Sequence, residues 1–478
     1  MSTPADRPGV ELTIHQDEYH QAGPGRRDIQ AVVSVTVTGV RPVPASAAEV
    51  VVIDCSESMS WPQSKIEAAR RATAAAVGLL RDGTRFAVVE GTDSARVVYP
   101  RSPSLAVAGA GTRAEAVAAV RRLRPGGGTA MGTWLTLARE LLEQAPGGIR
   151  HVLLLTDGRN ETEPPGRLQQ VLAACEGRFT CDARGIGDGW DARELGGIAT
   201  RLHGTAAVVL QDADLEAEFT GMMRASLSRA LPDLRLRLTP LPGVTLRYLR
   251  QVHPTEVDLT AAGRPAGERA VEFPTDPWAS ETRHYQLCLT ADPDGRPRDE
   301  RLMLADVQLT SGDTAGPELP PPAPVLVRWT DGAQLSAPNP VSVHFSTHGR
   351  LGEAVADAYH AHREGDRARA EAVLDRVLRL AHQLGDRSTL DVLADLLVST
   401  EPDDGPARLR ERFDRRHFDR LLLSSRHSAP VPDGAPLAEA HSQPPGPDLT
   451  CPVPDCGTVS PPGSAFCWAC GTALREAR

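Results

Sequence analysis

Apolar residues follow two different rhythms along this chain. In AVVSVTVTG, residues 31–39, Val33, Val35 and Val37 alternate with Ser34, Thr36 and Thr38. That period of two predicts a half-buried strand, and residues 9–40 read as strands throughout. From residue 47 to 230 the rhythm changes. Short, almost continuous apolar runs (VVVID, 50–54; RFAVVEG, 85–91; RHVLLLTDG, 150–158) alternate with longer segments of helical spacing. The latter include KIEAARRATAAAVGLLR (65–81), MGTWLTLARELLEQA (131–145) and DLEAEFTGMMRASL (214–227). Apolar strands alternating with helices predict a Rossmann-like, doubly wound α/β region: a mostly parallel sheet covered by helices on both faces.

Residues 231–346 return to strands, among them LRLRL, YQLCL, LMLADVQL and VLVRW, separated by Pro and Gly turns. With the strands of residues 1–46 they can complete one β-sandwich, into which the α/β domain of 47–230 is inserted. Residues 350–423 are expected to form a small helical module. There Ala370, Val373, Leu374, Val377, Ala381 and Leu384 share a helix face, and Gly365-Asp366 and Gly385-Asp386 each read as a helix stop followed by an N-cap. RLRERFDRRHFDR (408–420) reads as a helix with a solvated, charged surface. Residues 424–450, rich in Pro, Ser, Gly and Ala, read as a linker, and 451–474 as a separate small unit.

Composition narrows the function. A chain of 478 residues is too long for one core. Its hydrophobic content of 41% and charged content of 24% are those of a globular protein. A net charge of −10 argues against nucleic acid or an anionic membrane as partner. Neither a secretory signal nor a membrane-length apolar run is visible, so a cytoplasmic, reducing compartment is expected. The scattered Cys55, Cys175, Cys181 and Cys288 then read as small buried apolar residues. Lys65 is the only lysine among the 52 basic residues (Lys+Arg). That bias reads as genome composition rather than as a functional device.

The stretch EVVVIDCSESMS (49–60) carries the main chemical signal. The apolar run stops at Asp54, and oxygen-bearing side chains follow at Ser56 and Ser58. In an open parallel sheet, ligands gather beyond the carboxyl ends of the strands. Two further segments offer oxygen there: the Gly-rich RPGGGTAMGT (124–133) with Thr129, and LLLTDGRN (153–160) with Asp157 at the end of another apolar strand. Mg²⁺ asks for about six oxygen ligands. Asp54, Ser56, Ser58, Thr129 and Asp157, completed by water, could supply them. Serines before a helix also act as caps, and aspartates also order loops, but that reading does not call for all three segments together. No GxSxG elbow, HExxH pair or phosphate-binding GxxxxGK[ST] is present. A haloacid-dehalogenase-type phosphotransferase would want a second aspartate where Ser56 stands.

The DxSxS of Asp54-Cys55-Ser56-Glu57-Ser58, the Gly-rich loop with Thr129 and the strand-end TDG with Asp157 resemble the metal-ion-dependent adhesion site of von Willebrand factor A (vWA) domains. The resemblance covers residues 47–230. It implies direct ligation of Mg²⁺ (or Mn²⁺) by Ser56 and Ser58, and by Thr129 in the high-affinity state. Asp54 and Asp157 would act mostly through water. A cation held this way stays electrophilic and can take an Asp or Glu of a partner protein.

The C-terminal CPVPDCGTVSPPGSAFCWACG (451–471) pairs Cys451 with Cys456 and Cys467 with Cys470. Four thiolates can surround Zn²⁺, and glycine after each pair suits knuckle turns. The segment resembles a short zinc ribbon with a structural metal. The expectation is therefore a non-enzymatic, bacterial interaction or scaffold protein. The resemblance extends to intracellular vWA proteins of tellurium-resistance and stress systems with Ser/Thr kinases and phosphatases. The competing expectation is an accessory subunit of an AAA+ ATPase or metal-chelatase-like assembly.

Overall fold

The computed structural model describes residues 8–42, 47–146, 148–312, 317–331, 338–431, 449–453 and 459–460. The chain begins with β1 (Gly9–Gln16), β2 (Tyr19–Gln21) and β3 (Arg27–Thr38). It then enters the α/β region with β4 (Ala47–Asp54), α1 (Ser64–Leu79), β5 (Arg85–Gly91), β6 (Ala95–Tyr99) and β7 (Ala106–Val107). α2 (Ala110–Val120), α3 (Met131–Glu143), β8 (Ile149–Thr156), α4 (Arg167–Cys175) and β9 (Thr180–Ile186) follow. α5 (Ala192–Arg201), β10 (Ala206–Val209) and α6 (Leu215–Ser228) complete the region.

The sheet runs β10-β9-β8-β4-β5-β6. Its first five strands are parallel, and β6 and β7 pair antiparallel with β5. Alternation within β4 decides which helices cover which face. Ala48, Val50 and Val52, with Val152 and Leu154 of β8, pack into one core with α3, α4 and α5. Val51 and Ile53, with Leu153 and Leu155, pack into another with α1, α2 and α6. Both faces are thus dry, and every residue of β4 is buried. The carboxyl ends of β4 and β8 both open onto one edge.

Two further sheets, antiparallel but for one parallel pair, flank this region. β11 (Leu234–Pro240), β12 (Thr245–His253), β13 (Val257–Asp258), β14 (Arg264–Pro265), β15 (Val271–Pro274), β16 (Glu281–Ala291), β17 (Leu302–Ser311) and β18 (Ala323–Thr330) join the N-terminal strands. The orders are β1-β3-β16-β12-β13 and β14-β15-β11-β17-β18-β2. Val33, Val35, Tyr285 and Leu287 of the first sheet share a core with Leu236, Phe273, Val325 and Trp329 of the second. The α/β region lies in sequence between the halves of both sheets.

Four α-helices follow among the described residues: α7 (Pro340–Arg363), α8 (Arg367–Leu384), α9 (Arg387–Leu396) and α10 (Arg416–Ser424). The two Gly-Asp punctuations act as expected. Gly365 and Gly385 have positive φ, and the carboxylates of Asp366 and Asp386 cap the next helices through Arg369 N and Thr389 N. Three segments differ from expectation. Residues 424–431, expected to begin a linker, instead finish α10 and pack on the fold, with Ser425 and Ser428 buried and Glu256 N donating to Arg426 O. The first helix starts at Pro340, well ahead of residue 350, because Asn339 caps it by accepting from Val341 N and Ser342 N and Pro340 fits its first turn. Residues 408–415 are not helical; α10 begins only at Arg416. α7 also explains why β3 is buried on both faces in its middle: Val341 and Phe345 pack on Val32. No helix among the described residues is long and apolar enough to cross a membrane.

Candidate metal centre

The five oxygen-bearing residues meet at the carboxyl edge of the α/β sheet. β4 delivers Asp54, whose side chain is fully buried. Its Oδ1 accepts from Ser56 N at 2.8 Å, which folds the following loop back over the strand end. Its Oδ2 accepts from Thr156 Oγ1 at 2.7 Å and from Asp157 N at 3.3 Å. Asp54 therefore ties the ends of β4 and β8 together. Burial pushes its carboxyl up to about 6, against the pull of the hydrogen bonds from Ser56 and Thr156; neighbouring Asp157 adds to the rise.

The hydroxyls lie above this pair. Ser56 Oγ and Ser58 Oγ are 2.9 Å apart, and Ser58 Oγ donates to Asp157 Oδ1 at 2.6 Å. Ser58 is exposed while Ser56 and Asp157 are buried, so the cluster opens to solvent on one side. Thr129 arrives from the Gly-rich loop. Gly126 N donates to Cys55 O at 2.7 Å and Glu57 N donates to Gly127 O at 3.0 Å, fastening that loop to the serine loop. Gly127 holds a φ of +82°, which favours glycine. A Cβ on Gly158 would lie 2.9 Å from Thr129 Oγ1 and 3.7 Å from Ser58 Oγ. The hydroxyls of two loops thus converge over the bare backbone of the third.

Side chains of the β8–α4 loop hold the arrangement. Thr162 Oγ1 accepts from Thr129 N at 2.9 Å. Asn160 accepts from Met131 N, and Glu163 from Gly132 N and Thr133 N, amides of the first turn of α3. Cys55 faces the core, where burial raises its thiol, so it packs and does not ligate.

The donor set suits a hard divalent cation. It holds two carboxylates and three hydroxyls, with no nitrogen or sulfur that would favour a softer metal. No group of three or more His, Cys, Asp or Glu side chains among the described residues could hold a metal ion; this site is of a different, hydroxyl-rich kind. Of the four C-terminal cysteines only Cys451 is among the described residues, and it is buried. Cys456, Cys467 and Cys470 lie outside them. Cys55, Cys175, Cys181 and Cys288 are all buried thiols.

Sequence reading missed Lys65, Thr156 and the capping carboxylate of Glu163. Lys65 Nζ sits 2.8 Å from Asp157 Oδ2. Its signal was its uniqueness in an arginine-rich chain.

An open, doubly wound sheet with an oxygen-lined carboxyl edge defines the class. Residues 48–208 match the von Willebrand factor type A domain family. A von Willebrand factor type A structure from Catenulispora acidiphila is 34% identical, with a TM-score of 0.81, over 90% of this chain and 99% of that one. The chain belongs to the von Willebrand factor type A family. The ArnB paralog VWA2 from Sulfolobus acidocaldarius shares the fold at 11% identity and a TM-score of 0.51, over 88% of this chain and 98% of that one. Proximal thread matrix protein 1 of the mussel byssus, solved with a zinc-occupied metal-ion-dependent adhesion site, matches at 20% identity and a TM-score of 0.30, over 38% of this chain and 47% of that one. No curated protein matches significantly.

Proposed function

We propose that this protein is a non-enzymatic interaction or scaffold protein that docks an acidic side chain of a partner protein through a divalent cation, Mg²⁺ or Mn²⁺. The observation that carries the reading is the convergence of Ser56, Ser58 and Thr129 hydroxyls with Asp157, above Asp54, on the solvent-open edge of the sheet. Ser56, Ser58 and Thr129 would hold the cation, with Asp54 and Asp157 supporting it. The bound cation supplies an electrophile for a carboxylate. The chain's own part is to orient neutral hydroxyls toward it and to keep the carboxylates braced by Thr156 and the loop amides. A partner also needs apolar contact, and Trp61 offers it. It is 81% exposed, whereas Trp134, Trp278 and Trp329 are fully buried, and its backbone N–H donates to the carbonyl of Ser58 at 3.4 Å. Exposed tryptophans anchor protein interfaces.

The buried thiols fit a reducing cytoplasm, the net charge of −10 fits protein rather than nucleic-acid or membrane partners, and a bacterial stress or Ser/Thr kinase–phosphatase system is the setting we infer. Zn²⁺ held by Cys451, Cys456, Cys467 and Cys470 would brace the C-terminal segment; metal analysis of the purified chain should find zinc, which Cys467→Ser removes. The docking reading is tested by affinity capture from the native host with Mg²⁺ and with EDTA. A partner retained in Mg²⁺ should be lost in EDTA, with Asp54→Ala, and with an acidic-to-amide change in the partner. Binding that survives all three, with the fold intact by circular dichroism, refutes it.

A further inference from the structure

Lys65 occupies a position that metal ligation alone does not explain. It lies in the first turn of α1, with its Nζ 2.8 Å from Asp157 Oδ2 and 3.4 Å from the carbonyl of Ser58. The Lys65 and Asp157 side chains are 11% and 0% exposed. Both oxygens of Asp157 are thereby engaged by the chain's own groups, one by the Ser58 hydroxyl and one by the ammonium. The path of the lysine is shaped by the β9–α5 loop. A Cβ on Gly187 would come 3.0 Å from Lys65 Cε and 3.1 Å from Nζ, and that glycine has a φ of +72°. The chain uses arginine for every other such charge. A guanidinium is a wide, planar fork, whereas an ammonium is a compact point charge. The narrow passage between Gly187 and Asp157 admits the latter.

We propose that Lys65 is a built-in counter-cation of the metal site, which weakens binding of the metal alone and makes the loaded site recruit an anionic partner group. The inference rests on the metal reading above. Without metal, the ammonium offsets the Asp157 charge in a buried setting where an unpaired carboxylate is costly. With a divalent cation, the two carboxylates are balanced by the metal and the ammonium is left over. The loaded site then carries one net positive charge, which a single partner carboxylate neutralises. Were residue 65 uncharged, the loaded site would already be neutral and would draw a carboxylate less strongly. Lys65 thus shifts affinity from the cation alone toward the cation and the acidic group together.

The test is Mn²⁺ titration of the full chain, read by electron paramagnetic resonance of free Mn²⁺ and by calorimetry. Wild type is compared with K65M, K65R and D54N. K65M should bind Mn²⁺ on the order of tenfold more tightly, K65R, whose fork does not fit the passage beside Gly187, should fall between K65M and wild type, and D54N should bind far more weakly. In EDTA, K65M should melt below wild type, and saturating Mn²⁺ should close the gap. Acetate, as the simplest carboxylate, should raise the apparent Mn²⁺ affinity of wild type more than that of K65M. K65Q serves as a second uncharged variant should K65M fold poorly. Equal or weaker Mn²⁺ binding by the uncharged variants overturns the role of Lys65 while leaving the metal reading intact. No Mn²⁺ binding by wild type, or equal binding by D54N, overturns both.

Discussion

Strands β4 and β8 carry ionisable groups at both ends, and the two ends treat charge in opposite ways. At the amino end, Glu49 and His151 are direct register partners. His151 Nδ1 meets Glu49 Oε2 at 2.8 Å, and its Nε2 meets Asp182 Oδ2 at 2.9 Å. Ser226 Oγ donates to the other oxygen of Glu49, and Thr205 donates twice to the other oxygen of Asp182. Every oxygen and both ring nitrogens are used. Burial would push the imidazole down, but Glu49 and Asp182 outweigh it and raise His151 to about 9. Burial would likewise raise Asp182, yet His151 holds its carboxyl well below the usual range. At the carboxyl end, among the described residues, Asp54 has hydrogen bonds but no side-chain ion pair, Asp157 has one ammonium, Lys65, and one hydroxyl, Ser58, and Ser58 is open to solvent. A closed network has no capacity left for a ligand, so it serves the fold. An incompletely balanced one, open on one side, leaves the room for a ligand that the proposed cation site requires.

The contrast can be broken by exchanging the consequences. His151→Leu should cost the most, about 3–5 kcal/mol of unfolding free energy in urea, because it leaves two buried carboxylates without their cation. It should leave Mn²⁺ affinity almost unchanged in whatever fraction remains folded. Asp54→Asn should show the reverse. Removing a buried charge offsets the disturbed hydrogen bonds, so stability in EDTA should stay within about 1 kcal/mol of wild type. Mn²⁺ affinity by calorimetry should fall roughly 10–100-fold. A large loss of stability in Asp54→Asn, matching that of His151→Leu, would erase the distinction between the two ends.

Acidity separates them more gently. The folded pKa of His151 lies above the value of 6.5 it has when unfolded. Its contribution is therefore complete below pH 6.5 and declines as pH rises through about 9. Chemical denaturation should show stability falling over that interval in wild type, with the fall absent in His151→Leu. The smallest effect belongs to Ser226→Ala, which removes one hydrogen bond from Glu49 and should cost about 1 kcal/mol in the same assay, with metal binding untouched.

The candidate site was largely legible because its signals are local. An apolar run that ends in Asp54 or Asp157 announces a strand end, and glycines before Thr129 announce a tight loop. The amino-end network was not legible. Glu49, His151 and Asp182 sit within apolar strands, where nothing nearby in sequence marks them as partners. Lys65 was visible as a singular residue but not as part of the site, since Asp157 lies 92 positions away. The helix at Pro340 was hidden by VSVHF, whose alternation imitates a strand; the Asn339 cap and the packing of Val341 and Phe345 on Val32 decided otherwise.

By itself, then, the sequence determined the alternating strands and helices, the strand ends where oxygen gathers, and the Gly-Asp helix boundaries. These follow from periodicity and backbone preference, which act over a few residues. Only the tertiary structure decided which charges are balanced. It set His151 between two carboxylates, gave Asp157 its single ammonium, left Ser58 facing water and put Trp61 beside it. The reason is physical: burial and Coulomb interaction depend on distance in space, and the chain brings these groups together only when the sheet closes.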